Sequence, residues 1–486
     1  MPKKAWLLLV PLAALYWTSR GAYFVGFFND DAFYIIGARS LLTGRFAELN
    51  VPGAPPMDTH SPGFPLLLLP AALAAGEGFA AYQATAVLLS VAGVWLLTRF
   101  GRERLAPETA LAAAAAAALN PLAVGTSATV LSEIAYVPLS LLILLLASRA
   151  WPKNSPGVWA GLGALAGYLG LVRLSGASLL AALVAGLAWE RRWKCSAVCA
   201  GAGSGVLGAW ILRNFMVAGR SETRVGEMLE TLGWSGEMLG RIPYYTKEAF
   251  GRALFRWPAM LGTNMGTELW TAAAALAGLA AVVEGLRRWG WAGAGKVLPL
   301  YLGAYGLVHL AWPYQSARYL HQVLPLAALL TFAGIEKFGK RAALAAGFLS
   351  VALSAAPVSA IVRASLGQTR NPMNTAPTRS RDWIRRNTPP EAVFAASLDG
   401  QVHLLTGRPC LHLPGVDEPA AMKEWLERNK VSFVAEFPND FFMKRDFGSR
   451  RLDPPGTEKL ERILAAAGGR EIFRDPDEGV RIFQVR

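Results

Sequence analysis

Long apolar segments recur along the first three quarters of the chain, and they restrict the folds that it can adopt. Of its 486 residues, 53% are hydrophobic and 17% are charged, whereas a soluble globular protein has about 25% charged residues. Each full segment approaches about 20 residues, the length that a helix needs to cross a bilayer. Because lipid offers no partner to backbone polar groups, these segments predict helices. The predicted fold class is mainly α, a polytopic transmembrane helical bundle of about 11 to 13 spans.

The predicted spans begin with an uncleaved helix, since the first apolar run has no convincing small-residue cleavage site. A shorter apolar piece at 62–75 is expected to be re-entrant or part of a bent helix. The spans are predicted at 6–27, 79–100, 109–124, 129–146, 158–172, 177–189, 196–212, 268–286, 297–310, 317–335 and 342–361.

Lysine and arginine clusters alternate with more acidic loops, and this pattern predicts the orientation in the membrane. Basic loops belong on the cytoplasmic side, which places the N-terminus there with its Lys3 and Lys4. The turns at 127–133 and 314–319 then lie outside. We predict a transmembrane domain at 1–364, which includes external loops at 28–61 and 213–267, and an extracytoplasmic soluble domain at 365–486.

The last 120 or so residues are charged and mixed, and their patterns predict an α/β domain of ordinary size. Helices are predicted at 379–387, 419–429 and 458–467, and strands at 392–397, 431–436 and 480–485.

The net charge of +14 does not indicate a nucleic-acid-binding protein, because the basic residues fall in short clusters between apolar segments. No nucleic acid is expected among the partners. The three cysteines, Cys195, Cys199 and Cys410, give neither a readable disulfide framework nor enough ligands for a metal.

Two adjacent carboxylates, Asp30 and Asp31, follow the first apolar segment, at the start of a stretch with helical periodicity at 32–42. They could be a general base or a metal-binding pair, because neighbouring carboxylates shift each other's pKa values apart. They could equally cap a helix, where aspartate accepts hydrogen bonds from unpaired N–H groups. Both interpretations stay open on the residues alone.

Three further ionisable residues stand at the ends of apolar segments. Glu133 could cap its helix or supply a second acid. Arg173 and Arg318 could hold a phosphate through paired N–H donors, or extend to the interface beside aromatic residues. His60 and His321 have no spacing that suggests zinc.

Short motifs occur in a fixed order over most of the chain. They are Asp30-Asp31-x-x-Tyr34, Ser61-Pro62-Gly63-Phe64-Pro65, Leu131-Ser132-Glu133, Leu171-Val172-Arg173, Arg318-Tyr319-Leu320, Trp383-Ile384-Arg385-Arg386-Asn387 and Leu404-Leu405-Thr406-Gly407-Arg408. In the order of these motifs the chain resembles the integral-membrane glycosyltransferases of the GT-C fold class, which include protein O-mannosyltransferases and lipid A aminoarabinose transferases.

The resemblance implies transfer of a sugar from a polyprenyl phosphate to a lipid, polysaccharide or protein of the cell envelope, with inversion. Asp30 would be the base on the acceptor, and Asp31 and Glu133 would shape the cavity or assist. Arg318 and Arg173 would stabilise the leaving phosphate, with Arg39 or Arg45 weaker candidates. The acids and arginines are expected to share one external cavity. The residues assigned to substrate binding are Tyr34, Arg39, His60, Arg173, Arg318, Tyr319 and His321.

Two departures from the resemblance are visible. The second acid is Asp31 where relatives often have glutamate, and His60-Ser61 stands where several relatives have lysine. The resemblance names no certain cofactor. Mg²⁺ or Mn²⁺ is left open, with Asp30 and Asp31 as ligands if a metal binds. The implied location is the inner membrane of a bacterium.

Two other functions compete with this one. Asp30 and Glu133 could be proton relays of a secondary transporter or lipid flippase, although such acids usually lie near the bilayer midplane. The tail could instead be the docking domain of a non-catalytic envelope scaffold.

Overall fold

The structure is a computed structural model, and it describes residues 9–76, 78–218, 235–246, 265–312, 317–370, 373–416, 418–437 and 457–485. Lys3, Lys4 and most of the predicted external loop at 213–267 lie outside these residues. So does the first half of the predicted turn at 314–319.

The prediction of a mainly α fold is confirmed. The helices are α1 Leu9–Thr18, α2 Asp30–Leu41, α3 Gly63–Leu67, α4 Leu69–Ala75, α5 Ala80–Gly101, α6 Pro107–Ala118, α7 Pro121–Thr126, α8 Ser132–Ala150, α9 Pro156–Val172, α10 Ala177–Trp189, α11 Trp193–Ala218, α12 Ser235–Thr246, α13 Met265–Trp289, α14 Val297–Ala311, α15 Leu324–Ile335, α16 Lys340–Ser365, α17 Thr378–Asn387, α18 Asp399–Thr406, α19 Pro419–Arg428 and α20 Thr457–Ala466.

The chain packs as two compact units, which are described separately below. The first comprises Met1–Arg20, Ser61–Phe64 and Gln83–Arg363, and the second Gly21–His60, Pro65–Tyr82 and Ala364–Arg486. Residues 28–60 of the predicted external loop thus pack in the second unit with the tail. The predicted division of the chain at 364/365 stays a prediction.

Four of the described helices are long and apolar enough to cross a membrane, namely α5, α8, α11 and α16. Only 6% of the apolar 18-residue stretch of α16 is buried within the protein, so its hydrophobic side chains are available to lipid. The protein is therefore an integral membrane protein. The predicted number of spans stays a prediction.

Small residues let α9 and α11 pack closely in the first unit. A Cβ on Gly163 would lie 2.1 Å from the Cys199 carbonyl oxygen, and one on Gly167 would lie 2.5 Å from that of Gly203. Cys195 and Cys199 are buried on α11. Close packing of small residues stabilises helix pairs in membranes, where the hydrophobic effect between helices is absent.

Several element bounds differ from those predicted, for local reasons. The predicted helix at 109–124 breaks between α6 and α7, where the Asn120 side chain accepts a hydrogen bond from the Leu122 N–H and Pro121 begins a new helix. The predicted loop at 213–267 is partly helical, because α11 continues to Ala218 and α12 lies within it. The first span is shorter than predicted, since α1 ends at Thr18.

The second unit contains a five-stranded sheet in the order β2-β1-β3-β5-β4. β1 is parallel to β2 and β3, whereas β5 is antiparallel to β3 and β4. The predicted tail helices and three strands are present, and α18, β2 and β4 were not predicted. The strands are β1 Phe394–Ala396, β2 Cys410–His412, β3 Phe433–Glu436, β4 Arg470–Asp475 and β5 Val480–Gln484.

The contact between α9 and α11 makes a testable prediction. Gly163→Ala places a methyl group against the Cys199 backbone, which cannot move without separating the helices. We expect a loss of about 1–3 kcal/mol of stability, measured as a lower melting temperature in detergent. Gly161→Ala on the same helix is the control, because a Cβ there meets nothing within 4 Å. Equal melting temperatures for the two variants would contradict this packing.

Candidate active site

A buried carboxylate in the first unit faces two guanidinium groups. The Glu133 side chain is 2% exposed, and its Oε1 lies 2.8 Å from Arg318 Nε and 3.1 Å from Arg173 Nη1. Arg173 Nη1 also donates a hydrogen bond of 3.1 Å to Ser132 Oγ. A buried charge is tolerated when it is paired. With two guanidinium groups and one carboxylate, this cluster carries a net charge of +1.

Three separate segments bring this cluster together. Glu133 lies in the first turn of α8, and Arg318 lies in a 3-10 helix at Ala317–Gln322. Arg173 ends α9 in an extended conformation, with φ −158° and ψ 133°. The chain then turns back so tightly at Gly176 that a Cβ there would lie 2.5 Å from the Leu169 backbone. The arginine is thus fixed at a break between helices.

Aromatic residues border the cluster. The Arg173 guanidinium carbon lies 5.2 Å from the centroid of the Tyr319 ring, within cation–π distance. The Tyr305 hydroxyl donates a hydrogen bond of 2.6 Å to the Tyr319 carbonyl oxygen, and His309 stacks on Tyr305. His321, on the 3-10 helix of Arg318, lies with its Nε2 3.4 Å from Thr126 Oγ1. These contacts hold the 3-10 helix in place.

The last turns of α9, before Arg173, contact the Ser61-Pro62-Gly63 motif. Ser61 Oγ donates a hydrogen bond of 2.5 Å to the Leu171 carbonyl oxygen, and the Tyr168 hydroxyl donates one of 2.7 Å to the Gly63 carbonyl oxygen. Glycine is required at 63, because a Cβ would lie 2.4 Å from the Leu171 backbone. The motif therefore braces the end of α9.

In the second unit the two aspartates of α2 have different environments. Asp31 is 2% exposed, and its carboxylate accepts hydrogen bonds from the N–H groups of Gly26, Phe28 and Ala32 at 2.7, 3.2 and 3.1 Å. Burial raises the pKa of Asp31 to about 7; the Asp30 charge adds to the rise, whereas the three N–H groups oppose it. Asp31 fastens the turn that precedes the helix.

Asp30 is more accessible and faces a histidine. Its side chain is 28% exposed, and its Oδ1 lies 3.7 Å from His60 Nε2. His60 stacks on Phe33, with ring centroids 4.6 Å apart. Its Nδ1 lies 3.0 Å from Thr59 Oγ1, which donates a hydrogen bond of 3.1 Å to Glu48 Oε1. Asp30 is thus the member of the pair that can meet a substrate.

The other predicted residues of α2 lie near this pair or along the helix. Tyr34 is buried, with its ring 5.6 Å from His60 in an edge-to-face arrangement. Arg39 lies in the last turn of α2, with its guanidinium carbon 5.9 Å from the Phe79 ring centroid. Arg45 is exposed beyond the helix.

The structure thus gathers the predicted site residues in two groups, and it leaves their roles as predictions. Their sharing of one cavity also stays a prediction. The first unit holds Glu133, Arg173, Arg318, Tyr319 and His321, and the second holds Asp30, Asp31, Tyr34, Arg39 and His60.

A divalent cation does not fit the aspartate pair as it stands. A cation such as Mg²⁺ prefers about six oxygen ligands. Both Asp31 oxygens are instead occupied as acceptors of backbone N–H groups. No group of three or more His, Cys, Asp or Glu side chains that could hold a metal occurs among the described residues. The mechanism below therefore uses no metal.

Sequence reasoning missed several polar residues of these groups. Ser132 touches both Arg173 and Glu133, and Thr59 links His60 to Glu48. Ser132 directly precedes Glu133 and Thr59 directly precedes His60, so their positions in the sequence could have identified them as neighbours of the site. Glu48 had no such signal, because only the fold of the loop brings it to Thr59.

The environment of Glu48 makes a prediction about pH. Burial raises its pKa from 4.5 to about 7, helped by the charges of Asp58 and Asp399 and opposed by the Thr59 hydrogen bond. Folding thus favours the neutral form of Glu48. The contribution of this group to stability is fully present below about pH 4.5 and is lost as the pH rises through 7. Glu48→Gln keeps an acceptor for Thr59 and removes this loss, on the order of 1 kcal/mol after solvent screening.

Melting temperatures between pH 4.5 and 8 measure this effect. The Glu48→Gln profile should be flatter than that of the original protein, although Asp31 keeps part of the slope because its raised pKa acts in the same range. Glu391→Gln is the control, because it removes the charge of an exposed glutamate. Identical profiles for the original protein and Glu48→Gln would contradict the prediction.

Residues 59–212 match the model of the family described as dolichyl-phosphate-mannose-protein mannosyltransferase. This stretch includes His60, Glu133 and Arg173. A search of curated proteins by sequence gives no match.

The solved structures that are similar over nearly the whole chain include those of two proteins. ArnT from Cupriavidus metallidurans bound to undecaprenyl phosphate superposes with a TM-score of 0.58 at 11% identity, covering 100% of this chain and 98% of that one. The archaeal oligosaccharyltransferase AglB from Archaeoglobus fulgidus, in complex with an inhibitory peptide and a dolichol-phosphate, superposes with a TM-score of 0.55 at 12% identity, covering 98% and 74%. At these identities the similarity is one of fold.

Proposed function

Because the chain has the GT-C fold of integral-membrane glycosyltransferases, we propose that it transfers a sugar from a polyprenyl-phosphate donor to a cell-envelope acceptor. The acceptor class is a lipid, a polysaccharide or a protein. The reaction inverts the configuration of the anomeric carbon. The partners are the lipid-linked donor, the acceptor and the bilayer itself.

The observation that carries the proposal is the net positive, buried cluster of Glu133, Arg173 and Arg318. In a helical membrane protein an ionisable group is costly and is retained for function by default. Two guanidinium groups that face one carboxylate in a low-dielectric site favour the binding of an anion. Guanidinium groups suit phosphate because their N–H donors match its oxygens. The similar ArnT structure is bound to undecaprenyl phosphate.

The leaving group explains why the cluster would accelerate transfer. When the bond between the anomeric carbon and the phosphate oxygen breaks, its electron pair goes to that oxygen. Donors that are already in place stabilise such developing charge at no cost of reorganisation. Glu133 fixes Arg173 and Arg318 in position, which is its assisting role in this proposal.

Asp30 supplies the base. It takes the proton of the acceptor hydroxyl, whose oxygen then bonds to the anomeric carbon on the face opposite the departing phosphate. His60 contacts the Asp30 carboxylate and orients it. Asp31 assists by fastening the turn at the start of α2. In this proposal the base and the groups that position it are thus side chains of this chain, and the bonds that form and break belong to the donor and the acceptor.

The proposal includes the topology that the basic loops predict. Asp30 and the tail then face the extracytoplasmic side of a bacterial inner membrane, with the N-terminus in the cytoplasm. The alternation of basic and acidic loops supports this placement.

Arg173→Gln tests the phosphate site. Arg318 still neutralises Glu133 in this variant, so the fold should persist while the net positive charge disappears. We expect the affinity for undecaprenyl phosphate to fall by about tenfold or more, since charge-assisted hydrogen bonds contribute about 1.5–3 kcal/mol. Binding is measured in detergent by calorimetry. Arg99→Gln, at the end of α5, is the matched control, and unaltered binding by Arg173→Gln would refute the site.

Asp30→Asn tests the base. The amide keeps the shape of the side chain but cannot take a proton, so release of polyprenyl phosphate from lipid-linked sugars of a membrane extract should fall by about 100-fold or more. The melting temperature and the binding of undecaprenyl phosphate should stay at their original values. Turnover close to that of the original protein would remove Asp30 from the mechanism.

A further inference from the structure

Asn29, which directly precedes the acid pair, has an unusual backbone conformation. Its φ is +58° and its ψ is −46°, in a region that non-glycine residues seldom adopt. Such a strained conformation persists only where surrounding contacts impose it. The side-chain hydrogen bonds of Asn29 join it to the tail of the chain, about 370 residues away.

The first turn of α18 holds the Asn29 side chain from two directions. Asn29 Oδ1 accepts a hydrogen bond of 3.0 Å from the Gln401 N–H, and Asn29 Nδ2 donates one of 3.4 Å to Asp399 Oδ1. These bonds use the side chain that would otherwise cap α2, and α2 has no side-chain cap hydrogen bond from it. Asn29 therefore serves the contact with α18.

Asp399 is placed to receive this contact. It is 4% exposed, and its second oxygen accepts a hydrogen bond of 3.0 Å from Asn50 Nδ2. Asn50 is itself tied to β2, because its carbonyl oxygen accepts a hydrogen bond of 2.7 Å from the Cys410 N–H. The loop at 28–61 and the α/β sheet are thus joined by direct hydrogen bonds through one buried carboxylate.

Two glycines allow the close approach. A Cβ on Gly400 would lie 3.0 Å from Asn29 Oδ1 and 3.1 Å from the Phe33 ring. Gly26, whose φ is +100°, lies against Gln401. The Gly26 N–H donates the hydrogen bond of 2.7 Å to Asp31 Oδ2. Contacts with α18 thus reach both ends of the turn that Asp31 fastens.

We infer that the first turn of α18 positions the acid pair, with Asn29, Asp399 and Gly400 as positioning residues for Asp30 and Asp31. This inference rests on the proposed function, because it assigns the tail a role in that reaction. If the side chain of Asn29 were released, φ could return to negative values, and the start of α2 would rotate. Displacement of a catalytic group by about 1 Å can cost about 100-fold in rate.

The main test is Asn29→Gly. Glycine adopts a positive φ without strain, so the variant can still fold, but nothing then imposes this conformation on the turn. We expect the amides of Gly26, Phe28 and Ala32 to exchange hydrogen about tenfold faster. Turnover should fall by about tenfold or more, while the affinity for undecaprenyl phosphate is unaltered, because that site belongs to Arg173 and Arg318.

A second set of variants tests the specific hydrogen bond. Asn29→Asp places a second carboxylate against buried Asp399. Asp399→Asn replaces one of the two acceptor oxygens with an amide donor, which then faces the Nδ2 donor of Asn29 or of Asn50. Each should accelerate exchange at 26–32. In the double variant Asn29→Asp with Asp399→Asn, the amide at 399 donates to the carboxylate at 29, and its oxygen still accepts the hydrogen bond from Asn50 Nδ2. The double variant should therefore restore slow exchange.

Asn387→Ala is the matched control, because it removes a hydrogen bond of 2.8 Å to the Trp383 carbonyl oxygen in the same α/β domain. It should alter neither exchange at 26–32 nor turnover.

Hydrogen exchange and turnover can fail separately, which keeps this inference distinct from the proposed function. Normal exchange in Asn29→Gly, or fast exchange with normal turnover, would overturn the positioning role. So would a double variant that exchanges as fast as the single ones. Normal turnover in Asp30→Asn would instead refute the base, whatever the exchange shows.

Discussion

The pairing of Glu133 with Arg173 and Arg318 constrains the first unit more than any other interaction. Ionised groups among apolar helices are stable only when they are paired, so the three segments that carry these residues must meet. The break after α9, the close return at Gly176 and the bracing of Leu171 by Ser61 all place Arg173 for this pairing. The excess of one positive charge then gives the same cluster its chemical meaning, since it favours an anionic ligand.

The second unit shows how two adjacent and identical side chains acquire different roles. The Asp31 carboxylate is buried and bonded to three backbone N–H groups, so it fastens a turn. Asp30 points to His60 and remains partly exposed. Environment separates a structural acid from one that can react, as it does for pairs of carboxylates in enzymes generally. The strained conformation of Asn29 links this turn to α18, so the tail takes part in shaping it.

Much of the helical framework was predictable, because apolar periodicity is a local property. The predicted span at 177–189 coincides with α10, and α14 begins where predicted at Val297. The break at Asn120 was missed, since Pro121 lies within a continuous apolar run. In the tail, α18 and β2 were missed because each is short, and the three residues of β2 are strand only through pairing with β1. The candidate residues were found by their cost in lipid or by the resemblance, whereas Glu48, Asn50 and Asp399 have no local signal.

The sequence by itself determined that this is a membrane protein of helices with an α/β tail, because segment length, apolar content and residue periodicity are carried by neighbouring residues. It also drew attention to Asp30, Glu133, Arg173 and Arg318, since charge is conspicuous in apolar surroundings. Only the tertiary structure decided that two arginines face one glutamate, that the Asp31 carboxylate accepts the N–H groups of neighbouring residues, and that the Asn29 side chain is held from the tail. These contacts join residues up to about 370 positions apart, and a pairing over such a distance depends on how the chain folds back on itself.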